Sequence, residues 1–411
     1  MKWPVVTIGS LRSAAPNSLV GGPFGSDLTA KDYVESGVPV IRGTNLSNEA
    51  GFSGEDFVFV SDSKADLLRA NNAFRGDLIF TQRGTLGQVG LIPRDSTYDR
   101  YVVSQSQMKL TVDTQRVDSK FVYYFFRSPA TVQNVKNRAI TSGVPHINLG
   151  ILRDFTIPLP PLEIQKNITI LLQGYDDLIE NNRRRMQLLE ESARLLYKEW
   201  FVHLRFPGHE HVKLTAGVPQ GWAKTTIGAL GEIITGKTPS TKDESNFGFE
   251  VPFIKTPDMH RQTLIVETEQ SLSERGAQLQ PKKLLPRGSI LVSCIGTVGV
   301  VSITTRPSQT NQQINSIIPS WNDLRYYSYF ALTALKLRLE AMGGGATMPN
   351  VSKTKFGNVP LLLPIASLLS SFQEIAEPIF SQIENLLILN TKLTRARDLL
   401  LPRLMSGELV A

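Results

Sequence analysis

The chain has one cysteine, Cys294, in 411 residues. That excludes a disulfide framework and any zinc site built on paired thiolates. It has no run of 18 apolar residues, so no stretch reads as a membrane-spanning helix. The opening MKWPVVTIGSL lacks the apolar core of a signal peptide, and a cytoplasmic protein with no membrane partner is expected. The usual marks of catalysis are missing too. No GxGxxG loop follows a strand, no strained Ser elbow is evident, and no Asn/Asp-Pro-Pro-aromatic tetrad occurs. The two histidines of the HEH run, His209 and His211, sit in a Pro/Gly-rich connector and read as solvated. Asp176-Asp177 and Glu190-Glu191 read as helix surface charge, not as an acid/base dyad. No catalytic residue, metal ligand or cofactor of this chain's own is expected.

A composition of 41% hydrophobic and 20% charged residues is that of a globular chain, and the length implies two or more domains. The net charge of +7 permits a polyanionic partner without requiring one.

The organising stretch runs from Tyr175 to about His203. Tyr175, Ile179, Asn182, Met186, Leu189, Ala193, Leu196 and Trp200 alternate in steps of three and four, the spacing of a coiled-coil seam. A second seam carries Ile379, Ile383, Leu386, Asn390, Leu393, Arg397, Leu400 and Leu404 at a constant offset (383 − 179 = 204). Gly174 and Pro378, at the same offset, read as breakers just before each seam. An antiparallel pairing that sets Ile179 against Leu393 and Leu189 against Ile383 also sets Asn182 against Asn390. Two facing amides satisfy each other and would be stranded by a slipped register. The pair therefore reads as a register pin, with solvent-facing Asn at a frayed seam as the alternative.

The rest of the chain repeats around these arms. VTIGSL from Val6 returns as TTIGAL from Thr225, and Arg75-Gly76-Asp77-Leu78 returns as Arg287-Gly288-Ser289-Ile290. Gly84-Thr85-Leu86-Gly87 returns as Gly296-Thr297-Val298-Gly299, IPLP at Ile157 as LLLP at Leu361, and Ser142-Gly143-Val144-Pro145 more weakly as Ala346-Thr347-Met348-Pro349. Short β-rich pieces (VPVIRGTNL, DFVFV, GDLIFTQRG, GQVGLI, QMKLTV) predict a mainly antiparallel sheet, and the doublet Pro160-Pro161 leads into the first arm. The class is α+β: domain 1–160, helical arm 161–205, linker and domain 206–365, helical arm 366–411. The paired arms form an antiparallel coiled-coil spacer with internal pseudo-two-fold symmetry. The aromatic runs SKFVYYFFRS and LRYYSYFALTAL recur at helical spacing and read as core.

One motif misleads. Gly231-Glu232-Ile233-Ile234-Thr235-Gly236-Lys237-Thr238 fits the phosphate-binding pattern GxxxxGK[ST], which needs a helix starting at the Lys. Pro239 follows at once and no helical stripe comes after it. A turn opening the second domain is the reading preferred to nucleotide binding.

An arm of about 28 residues is roughly 42 Å long, near the roughly 34–36 Å between DNA half-sites one helical turn apart. Two domains that differ in sequence would then read two different half-sites.

Certain pieces resemble a known family: IPLPPLEIQ at Ile157, LLEESARLLYKEWFVHLRFPG at Leu188, GVPQGWAKTTIGAL at Gly217, TGKTPS at Thr235 and ARDLLLPRLMSGEL at Ala396. Over essentially the full chain, in both halves, the arrangement resembles the specificity subunit of type I restriction–modification systems. The resemblance implies two target-recognition domains and a bipartite, asymmetric target in double-stranded DNA. It also implies assembly with two methylase subunits and, for cleavage, two restriction subunits. S-adenosylmethionine and adenine-N6 methylation belong to the methylase partners, and the specificity subunit itself is non-catalytic.

Base edges are read by Arg, Lys, Asn and Gln, and phosphates by Lys, Arg, Ser and Thr. The loop-like candidates are Arg42, Thr44, Asn45, Thr81, Gln82, Arg83, Ser104, Gln105 and Gln107 in the first domain. Lys237, Lys255, Thr256, Lys282, Lys283, Thr310, Asn311, Gln312 and Gln313 are those of the second. Any one of them also reads as an ordinary polar loop residue. Apolar residues beyond the seams (Ile164, Ile168, Leu171 and Leu172; Leu369, Phe372 and Ile375) are expected to dock partner helices. Two other classes stay open: a coiled-coil scaffold that reads no sequence, and a self-sufficient P-loop ATPase or methyltransferase.

Overall fold

The computed structural model describes residues 3–47, 51–141, 143–260, 262–344 and 349–409. Ser142 and Ala346-Thr347-Met348 of the weak repeat lie outside the described residues. The chain divides into two compact units, 1–179 with 392–411, and 180–391. Both units draw on both arms.

In the first unit, Val5–Thr7 pairs antiparallel with Thr156–Pro158 and runs into a 3₁₀ turn, Ile8–Leu11, whose Ile8 and Leu11 are fully buried. A four-stranded antiparallel sheet follows in the order Val89–Leu91, Leu78–Thr81, Gln107–Leu110, Leu19–Gly21. A five-stranded sheet is ordered Tyr33–Val34, Val58–Val60, Val38–Ile41, Arg100–Val103, Asn72–Phe74. Within it Arg100–Val103 runs parallel to Val38–Ile41, so the expected antiparallel pattern holds with that exception. Helix α1, Ser119–Arg127, is capped by the Asp118 carboxylate, which accepts from the Lys120 amide at 2.9 Å. It buries Phe121, Val122, Tyr124 and Phe126.

The second unit repeats the plan. Ala223–Thr226 pairs with Pro360–Leu363 and leads into the 3₁₀ turn Ile227–Leu230. Its five-stranded sheet runs Gly231–Thr235, Ile314–Pro319, Ile290–Ser293, Val301–Thr304, Leu264–Ile265. The helix matching α1 buries its ring face as well, with Tyr326 stacked on Phe380 at 4.2 Å between centroids. The aromatic runs are core, as their spacing indicates.

The arms are the helices α2, Leu162–Tyr197, and α3, Ala366–Met405. At 36 and 40 residues they span roughly 54 and 60 Å, longer than the seams alone predict. The breaker reading fails at both sites, because α2 runs through Gly174 and α3 through Pro378. A helical Pro costs about 3 kcal/mol and a Gly about 1. Against this, Phe372, Ala376 and Phe380 flank Pro378 and are essentially fully buried, each large side chain contributing about 1.5–3 kcal/mol. Packing wins over propensity.

The same segments correct the docking expectation. Ile168 and Leu172 close the core of the first unit, together with Leu401, Leu404 and Met405. Leu369 and Phe372 close that of the second, where Phe372 meets Trp200 and Phe201 edge to face or tilted. Ile168, Leu369 and Phe372 have no exposed surface to offer a partner, and Ile164 is half-buried against the first core. Leu171 and Ile375, 41% and 44% exposed, remain accessible.

Antiparallel pairing of the helices is direct within the second unit. Asn182 donates to Asn390 at 2.8 Å, while Tyr197 and Trp200 meet Phe372. In the first unit Arg397, a seam position, reaches Asp176 at 2.5 Å, and Asp176 also accepts from the Tyr124 hydroxyl at 2.8 Å. Asp176 is thus a part-buried hub and not surface charge. Glu190 differs likewise: it is half-buried, and burial raises its carboxyl pKa.

Candidate DNA-reading loops and family

In the first unit four segments are tied into one cluster by backbone hydrogen bonds that bridge distant parts of the chain. Ser104 donates to Ile41 at 3.0 Å, joining the loop after Val103 to the one that holds Arg42. Gln82 donates to Ser106 at 2.7 Å, and Gly22 to Gln107 at 2.8 Å. A fifth segment joins through Ile147, which donates to Gln82 at 2.9 Å, and through the β-bridge Arg83–His146. Gly84 follows with φ of +102°, a backbone conformation that suits glycine.

The second unit reproduces this bond for bond. Asn311 donates to Ile254 at 3.1 Å, Cys294 to Gln313 at 2.7 Å and Gly236 to Ile314 at 3.1 Å, and Ile295 forms the β-bridge to Asn350. These matches make Ser104 equivalent to Asn311, Gln82 to Cys294, Arg83 to Ile295 and His146 to Asn350. Arg42 and Lys255 correspond as well. Each opens a turn in which its amide donates to the side chain three residues on, Asn45 at 2.9 Å and Asp258 at 2.8 Å.

The sequence candidates separate by exposure. Thr44, Arg83, Gln105, Lys237, Gln312 and Lys282 are exposed; Arg42, Gln82, Ser104, Lys255, Gln313 and Lys283 are half-buried. The other six do not present a surface: Asn45, Thr81, Gln107, Thr256, Thr310 and Asn311 are buried. Their polar groups serve the turns instead. Asn45 donates to Glu55 O at 2.8 Å while accepting from Arg42, and Asn311 Oδ1 accepts from the Gln313 amide at 3.2 Å. Gln107 exchanges a hydrogen bond with Ser104. Lys282 and Lys283 lie in a separate 3₁₀ turn, Pro281–Lys283, with no side-chain hydrogen bond to the cluster among the described residues. His146 and Asn350 join the clusters without having been expected. The only trace of them in the sequence is that each follows the weak SGVP/ATMP echo directly.

The P-loop pattern has a different cause. Gly231–Thr235 is an edge strand and no helix starts at Lys237, so neither a phosphate cradle nor the expected turn is formed. A Cβ at Gly231 would sit 1.9 Å from Ile318 O, and one at Gly236 would sit 2.2 Å from Asn311 O. Backbone crowding, not phosphate, sets the glycine spacing.

Beneath the clusters the units diverge. In the first, Lys109 and Asp77 form a buried pair 3.9 Å apart, with Lys109 donating to Asn72 O at 2.6 Å and Thr111 to Asp77 at 2.6 Å. Burial lowers the Lys109 pKa and raises that of Asp77. The second unit places Ser316 and Ser289 at the matching positions, both fully buried. Burial also pushes the Cys294 thiol up to about 11. Among the described residues no group of three or more His, Cys, Asp or Glu could hold a metal ion, and no helix is long and apolar enough to cross a membrane.

A duplicated α+β unit with paired helical arms and matched polar loop clusters is the architecture of a two-domain recognition subunit. Residues 25–191 and 219–396 each match the type I restriction modification DNA specificity domain. The chain belongs to that family, as a type I specificity subunit. It is 32% identical over 400 residues to the type I restriction enzyme HindI specificity subunit of Haemophilus influenzae, covering 82% of this chain and 87% of that one. With the MjaIX specificity subunit of Methanocaldococcus jannaschii it shares 25% identity, over 92% and 88% of the two chains. The S subunit structure from M. genitalium has the same fold, with a TM-score of 0.60 at 19% identity over 98% of this chain and 96% of that one.

Proposed function

We propose that the chain reads a bipartite, asymmetric sequence in double-stranded DNA, one half-site for each loop cluster, and does no chemistry itself. The observation that carries this reading is the contrast between frame and contents: the backbone hydrogen bonds of the clusters are matched, while the side chains they present differ. A shared frame with different readers suits two unlike half-sites. On this reading the helical arms are the spacer between the half-sites. Two methylase subunits carrying S-adenosylmethionine modify adenine at N6, and two restriction subunits supply cleavage, all in the cytoplasm. Leu171 and Ile375 are accessible apolar positions on the arms for such partners.

Mapping N6-methyladenine across a genome that expresses the complete system tests this. A split motif with an unspecified centre is expected, and deletion of one heptad from both arms should change only the length of that centre. Methylation without a fixed split motif would sink the proposal. Methylation or ATP hydrolysis by the purified chain alone would revive the enzyme reading.

A further inference from the structure

The matched frame allows the two clusters to be compared position by position, and one position stands out. Arg83 is exposed on the loop that follows strand Leu78–Thr81. Its backbone is fixed from two sides, by its amide donating to Ser106 O at 3.3 Å and by the bridge to His146. Among the described residues no hydrogen bond or ion pair engages its guanidinium. The other arginine of the cluster is already committed, with Arg42 Nη2 donating to Asp56 O at 3.0 Å. The Gln105 amide is committed too, to Gly25 O. Arg83 therefore holds a planar fork of free donors on a rigidly held loop. The second unit has Ile295 at the same place, half-buried and bridged to Asn350. It offers no donor at all.

We infer that this position determines specificity: Arg83 reads a guanine in the half-site of the first domain, and Ile295 makes an apolar contact suited to a thymine methyl in the half-site of the second. Guanine is the base whose major-groove edge offers two adjacent acceptors, which a guanidinium meets bidentately. The thymine C5 methyl is the groove's apolar feature. A phosphate contact by Arg83 would serve affinity without selecting sequence. This inference rests on the DNA-reading role proposed above.

The test is selection of bound duplexes from a randomised pool by the complex of the chain with its methylase partners. Wild type, Arg83→Ile, Arg83→Lys and Ile295→Arg are compared. Wild type should select a split motif with guanine at one position that Arg83→Ile relaxes by about tenfold or more, leaving the other half intact. Arg83→Lys keeps the charge and loses the fork, so it too should weaken that guanine preference. Ile295→Arg should change one position in the other half only. An unchanged motif with Arg83→Ile, or weakening by that variant that is uniform across sequences with a shallower salt dependence, overturns the assignment in favour of a phosphate contact. If Arg83→Ile abolishes binding while its melting curve stays at wild type, Arg83→Lys decides. A wild-type complex that selects no split motif would overturn the functional proposal itself, a different result from an Arg83 that reads nothing.

Discussion

Asn182 Nδ2 donates to Asn390 Oδ1 at 2.8 Å across the paired helices, with Asn182 only 1% exposed. The two amides answer each other where an all-leucine seam would tolerate several registers. Asn182→Leu alone takes from the half-buried Asn390 amide its partner across the seam and should cost about 1–3 kcal/mol. The double Leu variant should recover most of that loss. A double-mutant cycle by thermal melting checks this, and additive losses would contradict the pairing.

Arg397 occupies a seam position yet carries a charge, because Asp176 lies 2.5 Å from its guanidinium. Arg127 lies 3.7 Å from the same carboxylate. Asp176→Leu leaves Arg397, whose side chain is 13% exposed, with Asp398 as its remaining carboxylate, and should destabilise the first unit by about 2 kcal/mol. Arg397→Met should do less harm, since Asp176 keeps the Tyr124 hydroxyl and Arg127. Chemical denaturation of both variants gives the order, and the reverse order would show that the hub is not Asp176.

Cys294 is 2% exposed and its thiol is pushed up to about 11 by burial. The native thiol is therefore neutral at pH 8, and thiol reagents should label it only as the second unit opens, reaching the free-thiol rate in denaturant. The folded pKa lies above the ordinary value of 9.0, so the fold favours the protonated form. The resulting stabilisation is complete below about pH 9 and fades as pH rises through about 11. Labelling rates against pH and denaturant follow both effects, and rapid labelling of the native chain at pH 8 would contradict the burial.

Removal of residues 392–411 takes Leu401, Leu404 and Met405 out of the core that holds Ile168 and Leu172. The first unit should open while the second, whose residues 180–391 are intact, keeps its protection. Limited proteolysis with fragment mapping checks this. Equal loss of both units would contradict the division.

The seams and their asparagines were legible because a heptad stripe shows in the order of residues alone, and burial then acts on that stripe as read. Gly174 and Pro378 misled because local propensity, a few kcal/mol at most, was set against packing that only the assembled core supplies. The loops were half legible. Polar residues after strands mark them, but Gln107 and Arg83 look alike in sequence, and only the fold sends one inward to brace a turn and leaves the other in solvent. His146 has no such mark because its link to Arg83 spans three strands and two helices, and no local pattern encodes such a pairing.

The first unit's core takes in residues from both extremes of the chain, from Ile8 to Met405. On a translating ribosome the segment around Ile8 must wait, its apolar wall incomplete, until Leu401, Leu404 and Met405 have cleared the exit tunnel. The later-made unit already has every residue it needs, so the order of synthesis and the order of completion run opposite ways.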